Sequence, residues 1–308
     1  MVAGYQPTPQ GWSLATALLW GDALAPHAIP SRPSLPPTLA SGYDGRRAWL
    51  RRLDMAKTPV GVQLYVLRDA VAQDLAGALK RVAEIGYQGA EPWGYGGEEL
   101  AWMGHSAADV RKMYDDAGLI CCGIHLQPQA LQPAIIERTI EFNRILGNRF
   151  LVIAGDAGRM ASRAGISELA GILNTASELL RPHGMFCGYH AHGFDFGLID
   201  GEPAWHHLFR QCRDDVIMQM DNGNTMTGDG DPIAALKLFP GRARTVHVKD
   251  FGGPAGSTIG GGTVDWDTLW RVYDTLHRPE WYVVEEGDGS NFDIPAASFA
   301  GLQAMGRA

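Results

Sequence analysis

The chain has 308 residues, a net charge of -8 at pH 7, 45% hydrophobic and 19% charged residues. This balance describes a folded globular protein and excludes a disordered one, and it supplies no basic surface for nucleic acid or anionic membranes. The expected partner is therefore a small molecule, with a homo-oligomer left open.

Residues 1–57 are expected to form an irregular extension, because Pro7, Pro9, Pro26, Pro30, Pro33, Pro36 and Pro37 interrupt any helical or strand period. The apolar stretch from Leu14 to Ala25 is too short to cross a bilayer and follows no basic residue, so no membrane anchor is expected. Arg46 and Arg47 suggest a twin-arginine signal, but Arg51, Arg52, Asp54 and Lys57 replace the apolar segment that such a signal needs. A cytoplasmic location is expected, with export of a precursor and a start at Met55 as open alternatives. Cys121, Cys122, Cys187 and Cys212 lack CxxC spacing and read as buried free thiols, which favours a reducing compartment.

From Val60 onward, short β-branched runs alternate with longer amphipathic ones, the pattern of parallel βαβ units. The expected strands are Val60 to Tyr65, Gly89 to Trp93, Cys121 to Gln127, Arg149 to Gly155, Phe186 to His192, Val216 to Asn222, Ala243 to Asp250 and Trp281 to Glu286. Between them the spacing predicts helices such as Leu75 to Ile85, Ala107 to Ala117, Ala134 to Leu146, Ile166 to Leu180 and Trp266 to Leu276. Gly86, Gly118 and Gly147 stand where helix ends need a left-handed residue. Eight such units in about 250 residues predict an α/β fold, a (β/α)8 TIM barrel over residues 58–308. A dinucleotide-binding sheet is disfavoured because no GxGxxG follows the first strand.

Barrel chemistry sits at the C-terminal strand ends, and Glu91, His125, His190, His192, Asp221, His247, Lys249 and Glu285 all fall there. His190, Asp221, His247 and Glu285 come from strands five to eight and form a mixed nitrogen and oxygen set. That set suits a divalent cation, with Mn²⁺ first and Zn²⁺, Co²⁺, Fe²⁺ or Mg²⁺ as alternatives. Alternation places His190 and His192 on one face, and either is a candidate for the strand-five ligand. Lys249 is a candidate for stabilising an enolate or for pairing with Asp221 or Glu285. Trp93 and Trp266 offer apolar faces, and the glycine-rich loop Gly252 to Gly262 reads as an anion cradle or a lid.

These motifs resemble the xylose-isomerase-like barrel family of sugar-phosphate isomerases and ketose 3-epimerases. The likeness is carried by Gly61-Val62-Gln63-Leu64-Tyr65, Gly86-Tyr87-Gln88-Gly89-Ala90-Glu91, Gly188-Tyr189-His190-Ala191-His192, His247-Val248-Lys249-Asp250 and Ile259-Gly260-Gly261-Gly262-Thr263-Val264-Asp265-Trp266. The resemblance implies a metal held by a strand-five residue with Asp221, His247 and Glu285. It also shows a departure, since His190 stands where family epimerases commonly carry a glutamate.

The resulting expectation is a metal-dependent sugar isomerase or epimerase that removes a proton beside a carbonyl and passes through an enediolate. His190, Glu285 and Lys249 are the expected catalytic groups. Glu91, His125, His192, Trp93 and Trp266 are the expected substrate contacts. Two alternatives accompany this reading: a lyase that opens 3-keto-glycosides by β-elimination, and a non-catalytic sugar-binding or partner subunit. A hydrolase or endonuclease with several metals fits the single cluster and acidic charge less well.

Overall fold

The computed structural model describes residues 57–254 and 257–308, so the proline-rich extension expected over residues 1–57 lies almost wholly outside the described residues. Eight parallel strands follow one another around a closed ring. They are β1 Val60–Gln63, β2 Gly89–Glu91, β3 in two pieces Ile120–Cys121 and Ile124–Leu126, β4 Phe150–Ile153, β5 Phe186–His190, β6 Ile217–Gln219, β7 Thr245–Val248 and β8 Trp281–Val284. β7, β8, β1, β2 and the first piece of β3 form one hydrogen-bonded run, and the second piece of β3 continues through β4 and β5 to β6. The seam between β6 and β7 is closed by His247 N donating to Met220 O at 2.8 Å and by a parallel bridge between Asp221 and His247. The other end closes through β8 and β1, where Val60 faces Tyr282.

Each strand is shorter than its apolar run because the chain leaves the barrel as soon as the interior becomes polar. β1 stops at Gln63, whose side-chain oxygen accepts from Tyr65 N at 3.1 Å and starts a 3-10 turn. β3 is interrupted at Cys122 and Gly123, where a Cβ on residue 123 would sit 2.2 Å from Glu91 Oε1. The outer helices are α1 Leu75–Ile85, α2 Ala107–Ala117, α3 Ile136–Leu146, α4 Arg163–Leu180, α5 Ala204–Gln211, α6 Pro232–Leu238, α7 Trp266–Val272 and α8 Asp293–Ala304. α2 and α3 end on Gly118 and Gly147 at φ 70° and 74°, the left-handed backbone expected there. α4 begins earlier than its apolar period because Ser162 accepts from Gly165 N at 3.1 Å and caps it. α7 ends at Val272 and passes into a π turn, Tyr273–His277.

Alternation divides the core in two. Val60, Val62, Leu151, Ile153, Tyr189, Met218, Val246, Val248, Tyr282 and Val284 point outward to the helices and belong to the large outer core. Cys122, Phe150, Ile217, Trp281 and Val283 pack together as a smaller cluster inside the ring. Gly61 and Gly89 leave room for it, since a Cβ on Gly89 would meet the Trp281 ring at 2.8 Å. The four cysteines are buried free thiols. Among the described residues, no helix is long and apolar enough to cross a membrane.

Candidate metal centre and its surroundings

The interior parity that puts Ile217, Trp281 and Val283 in the inner cluster also points Gln219 and Glu285 up the barrel axis. It does the same for Gln63, Glu91, His190 and His247 on their strands. His190, Asp221, His247 and Glu285 each offer a ligand atom, and these atoms lie within 4.8 Å of one another. His247 Nδ1 is 2.6 Å from Glu285 Oε2 and 4.0 Å from Asp221 Oδ2, and His190 Nε2 is 3.3 Å from the same Glu285 oxygen. Four groups from adjacent strand ends are thus brought together as the sequence leads one to expect. His190 takes the inner place on strand five, and His192 stands edge-on to it with ring centroids 4.8 Å apart.

A polar layer lies beneath this group, where sequence reasoning anticipated only part of it. Glu91 Oε2 is 2.6 Å from His247 Nε2 and accepts from Gln63 Nε2 at 2.8 Å, and Glu91 Oε1 accepts from Gln219 Nε2 at 3.1 Å. Gln219 also meets His125 Nε2 at 2.8 Å and donates to Thr245 Oγ1 at 3.1 Å. Glu91 is 0% exposed and its two oxygens are taken up by Gln63, Gln219 and His247, so the expectation that it contacts a substrate hydroxyl does not fit. His125 is buried in the same layer, its ring stacked 5.0 Å from that of His247. Gln63, Gln219 and Thr245 are the functional neighbours missed in the sequence, although the alternation that selects Glu91 and Glu285 selects them too.

Electrostatics separates the roles. Burial lowers the His190 pKa well below the ordinary imidazole value, assisted by the neighbouring His247 charge, so His190 is neutral with a free lone pair. Burial also works to lower His247, but the Glu91 and Glu285 carboxylates outweigh it and raise the ring to about 10. Burial pushes Asp221 well above the carboxylate range, and the Glu285 charge adds to this. Burial opposes ionisation of Glu285 as well, yet the hydrogen bond and charge of His247, with the Lys249 charge behind it, hold it well below its usual value.

These residues fit a divalent cation. His190 Nδ1 and Asp221 Oδ2 are buried without a hydrogen-bond partner among the described residues, a costly state for polar atoms. A cation held by the four-residue group would give Asp221 Oδ2 a partner. The donor set of two imidazoles and two carboxylates suits Mn²⁺, Zn²⁺, Fe²⁺ or Co²⁺.

The mouth is defined by an open cleft of about 570 Å³ bordered by His192, Phe194, Asn224, Thr227 and Asp229. Asn224 Nδ2 reaches to 3.4 Å from His190 Nε2, which connects cleft and cluster. Lys249 is half-buried; burial works to lower its pKa, but Asp221, Glu285 and Glu286 raise it. Trp93 is half-buried between Tyr65 and Trp102, with ring centroids at 5.7 and 5.3 Å. Trp266 is buried in the outer core and stacked on Trp270 at 5.1 Å, so the platform expected of it does not fit. The glycine-rich loop does cradle an anion, but that anion is Asp250 itself. Its Oδ2 accepts from Gly260 N at 2.7 Å and Gly262 N at 3.0 Å, and its Oδ1 accepts from Phe251 N at 2.8 Å.

Comparison with curated proteins by sequence returned no match. Solved structures are similar in fold. A sugar phosphate isomerase/epimerase from Parabacteroides distasonis is 22% identical with a TM-score of 0.70, covering 81% of this chain and 97% of its own. An L-ribulose 3-epimerase is 14% identical with a TM-score of 0.60, covering 82% and 95%. A D-psicose 3-epimerase, solved in the presence of D-fructose, is 12% identical with a TM-score of 0.60, covering 81% and 100%. The family model described as xylose isomerase-like TIM barrel matches residues 79–305, and the chain belongs to that family.

Proposed function

We propose that this chain is a divalent-metal-dependent sugar isomerase or epimerase acting on a carbon beside a carbonyl. The observation that carries the reading is the convergence of His190, Asp221, His247 and Glu285 from four adjacent strand ends, with ligand atoms within 4.8 Å. A bound divalent cation supplies Lewis acidity, stabilising negative charge on neighbouring sugar oxygens as the proton leaves. Glu285 is the group assigned to accept that proton, because of the two cluster carboxylates it alone keeps some exposure, 14% against 0% for Asp221. His190, neutral and buried, serves as a ligand rather than as the base. His192 borders the cleft and is the second position from which a proton can be handed back. Lys249 balances the charge of Asp221 and Glu285 and offers a positive group toward a developing enolate. Asn224, on the border of the cleft, and Trp93 are the sugar contacts of this reading.

A second reading, β-elimination from a 3-keto-glycoside, is favoured by one observation. Strand five contributes His190 in place of a second carboxylate, so the two faces of the site are unequal. Both readings begin with the same proton removal. The test is incubation of the Mn²⁺-loaded protein with free ketoses and with 3-keto-glycosides in D₂O. Deuterium at a carbon beside the carbonyl of a recovered or epimerised ketose supports the first reading, and release of the aglycone supports the second. No exchange and no product with either class, in protein that holds its metal, leaves a sugar-binding subunit as the reading.

A further inference from the structure

Two overlapping groups of side chains have the reach to hold a cation: His190, Asp221, His247 and Glu285, and, deeper in the barrel, His125, His190 and His247. Both draw on His247, and the two nitrogens of one ring face in different directions. Nδ1 lies 2.6 Å from Glu285 Oε2 and Nε2 lies 2.6 Å from Glu91 Oε2. Glu91 is 0% exposed, and its oxygens are held by the side-chain amides of Gln63 and Gln219, at 2.8 and 3.1 Å. His125 Nε2 is engaged in turn by Gln219 Oε1 at 2.8 Å.

We infer that Glu91 is a positioning residue: it holds the Nε2–H of His247, leaves Nδ1 facing Asp221 and Glu285 as the nitrogen a cation would take, and so closes the three-histidine group to a cation. A carboxylate behind a ligating imidazole sets both the tautomer and the ring orientation. The consequence is choice of metal. The outer group has two carboxylates and suits harder ions such as Mn²⁺, whereas three imidazoles favour Zn²⁺ or Co²⁺. This inference rests on the metal-centre reading above and adds which side chain decides the ligand set.

The test uses the full chain, stripped with chelator, as wild type, Glu91→Gln and Glu91→Ala. Mn²⁺ and Zn²⁺ binding is measured by calorimetry, the Co²⁺ visible spectrum reports the ligand set, and the melting temperature reports folding. Wild type is expected to bind about one Mn²⁺ per chain. Glu91→Ala weakens Mn²⁺ binding about 10- to 100-fold, weakens Zn²⁺ less, and shifts the Co²⁺ spectrum toward nitrogen-rich coordination. Glu91→Gln keeps an acceptor for Nε2–H, recovers most of the Mn²⁺ affinity and leaves the Co²⁺ spectrum unchanged. Wild-type affinity in a folded Glu91→Ala protein, or a glutamine variant with a shifted spectrum, overturns the role of Glu91 while leaving the metal centre standing. If alanine prevents folding, the glutamine spectrum alone decides. A wild type that binds neither ion overturns the metal-centre reading and this inference with it.

Discussion

The Tyr189 hydroxyl and Asp195 Oδ1 lie 2.9 Å apart, at the point where the chain leaves β5 and turns across the cleft. Asp195 Oδ2 also accepts from His192 N at 2.8 Å, so this one carboxyl holds the turn that presents His192. Burial raises the Asp195 pKa to about 8.

That value makes stability depend on pH with a definite sign. An unfolded aspartate titrates near 3.9, so between about pH 4 and 8 the unfolded chain has released a proton that the folded chain retains. The contribution is fully present below the unfolded pKa and is lost as pH rises through the folded one. This one group is expected to lower unfolding free energy by about 1.4 kcal/mol per pH unit across the window. Asp195→Asn can donate to the Tyr189 oxygen and still accept from His192 N, so it should fold and lack this component. Urea unfolding from pH 5 to 8 measures it; identical slopes in both proteins would show that Asp195 is ionised when folded.

Asp221 has two functions that substitution can separate. Its Oδ1 caps the short helix Asn222–Thr227 by accepting from Asn224 N at 2.7 Å, while Oδ2 is the buried, unpartnered oxygen. Asp221→Ala should cost about 1 kcal/mol from the lost cap, and Asp221→Asn less. Both should lose bound Mn²⁺ and turnover while remaining folded. Metal content after dialysis, read beside the melting curve, decides; stoichiometric Mn²⁺ in either variant removes Asp221 from the ligand set.

Asp250 supplies the anion around which the glycine-rich loop is wound, so its removal should act on the loop before it acts on the barrel. Asp250→Ala leaves the amides of Phe251, Gly260 and Gly262 without their acceptor. We expect a loss of about 1–3 kcal/mol, concentrated in this segment. Hydrogen exchange should speed up at Gly260 and Gly262 and stay unchanged at β5 and β6. Protection at those two glycines as strong as in the wild type would mean that other contacts hold the loop.

How far the sequence reached can be read from the same residues. The eight strands were legible because Val60 to Val62, Phe150 to Ile153 and Trp281 to Val284 are apolar on both faces, as strands inside a barrel must be. The cluster was legible because His190, His247 and Glu285 follow those runs at one parity. Glu91 lies on the expected strand with other neighbours than expected: Gln63 stands beside it in register on β1, while Gln219 reaches it from β6, a contact that no local pattern announces. Trp266 shows the same limit: an aromatic side chain beside a loop rich in glycine looks available, and only the packing of Trp270 against it removes it. The role of Asp250 was hidden because an anion cradle and its anion were ten residues apart in one loop.

The break in β3 provides an independent way to reach Glu91 without altering it. Gly123 lies where the strand is interrupted, and a Cβ there would approach Glu91 Oε1 to 2.2 Å, closer than any packed pair of atoms tolerates. Glu91 cannot retreat, because Gln63 and His247 hold its other oxygen. Gly123→Ala is therefore expected to destabilise the chain by about 1–3 kcal/mol, and to weaken Mn²⁺ binding through the displaced carboxylate. Gly171→Ala is the control, since a Cβ at that α4 position meets nothing within 4 Å and should raise stability slightly. Thermal melting and calorimetric Mn²⁺ titration of both variants provide the measurement. A Gly123→Ala protein that melts and binds like the wild type would show that Glu91 has room to move, and the rigid layer beneath the cluster would not be rigid.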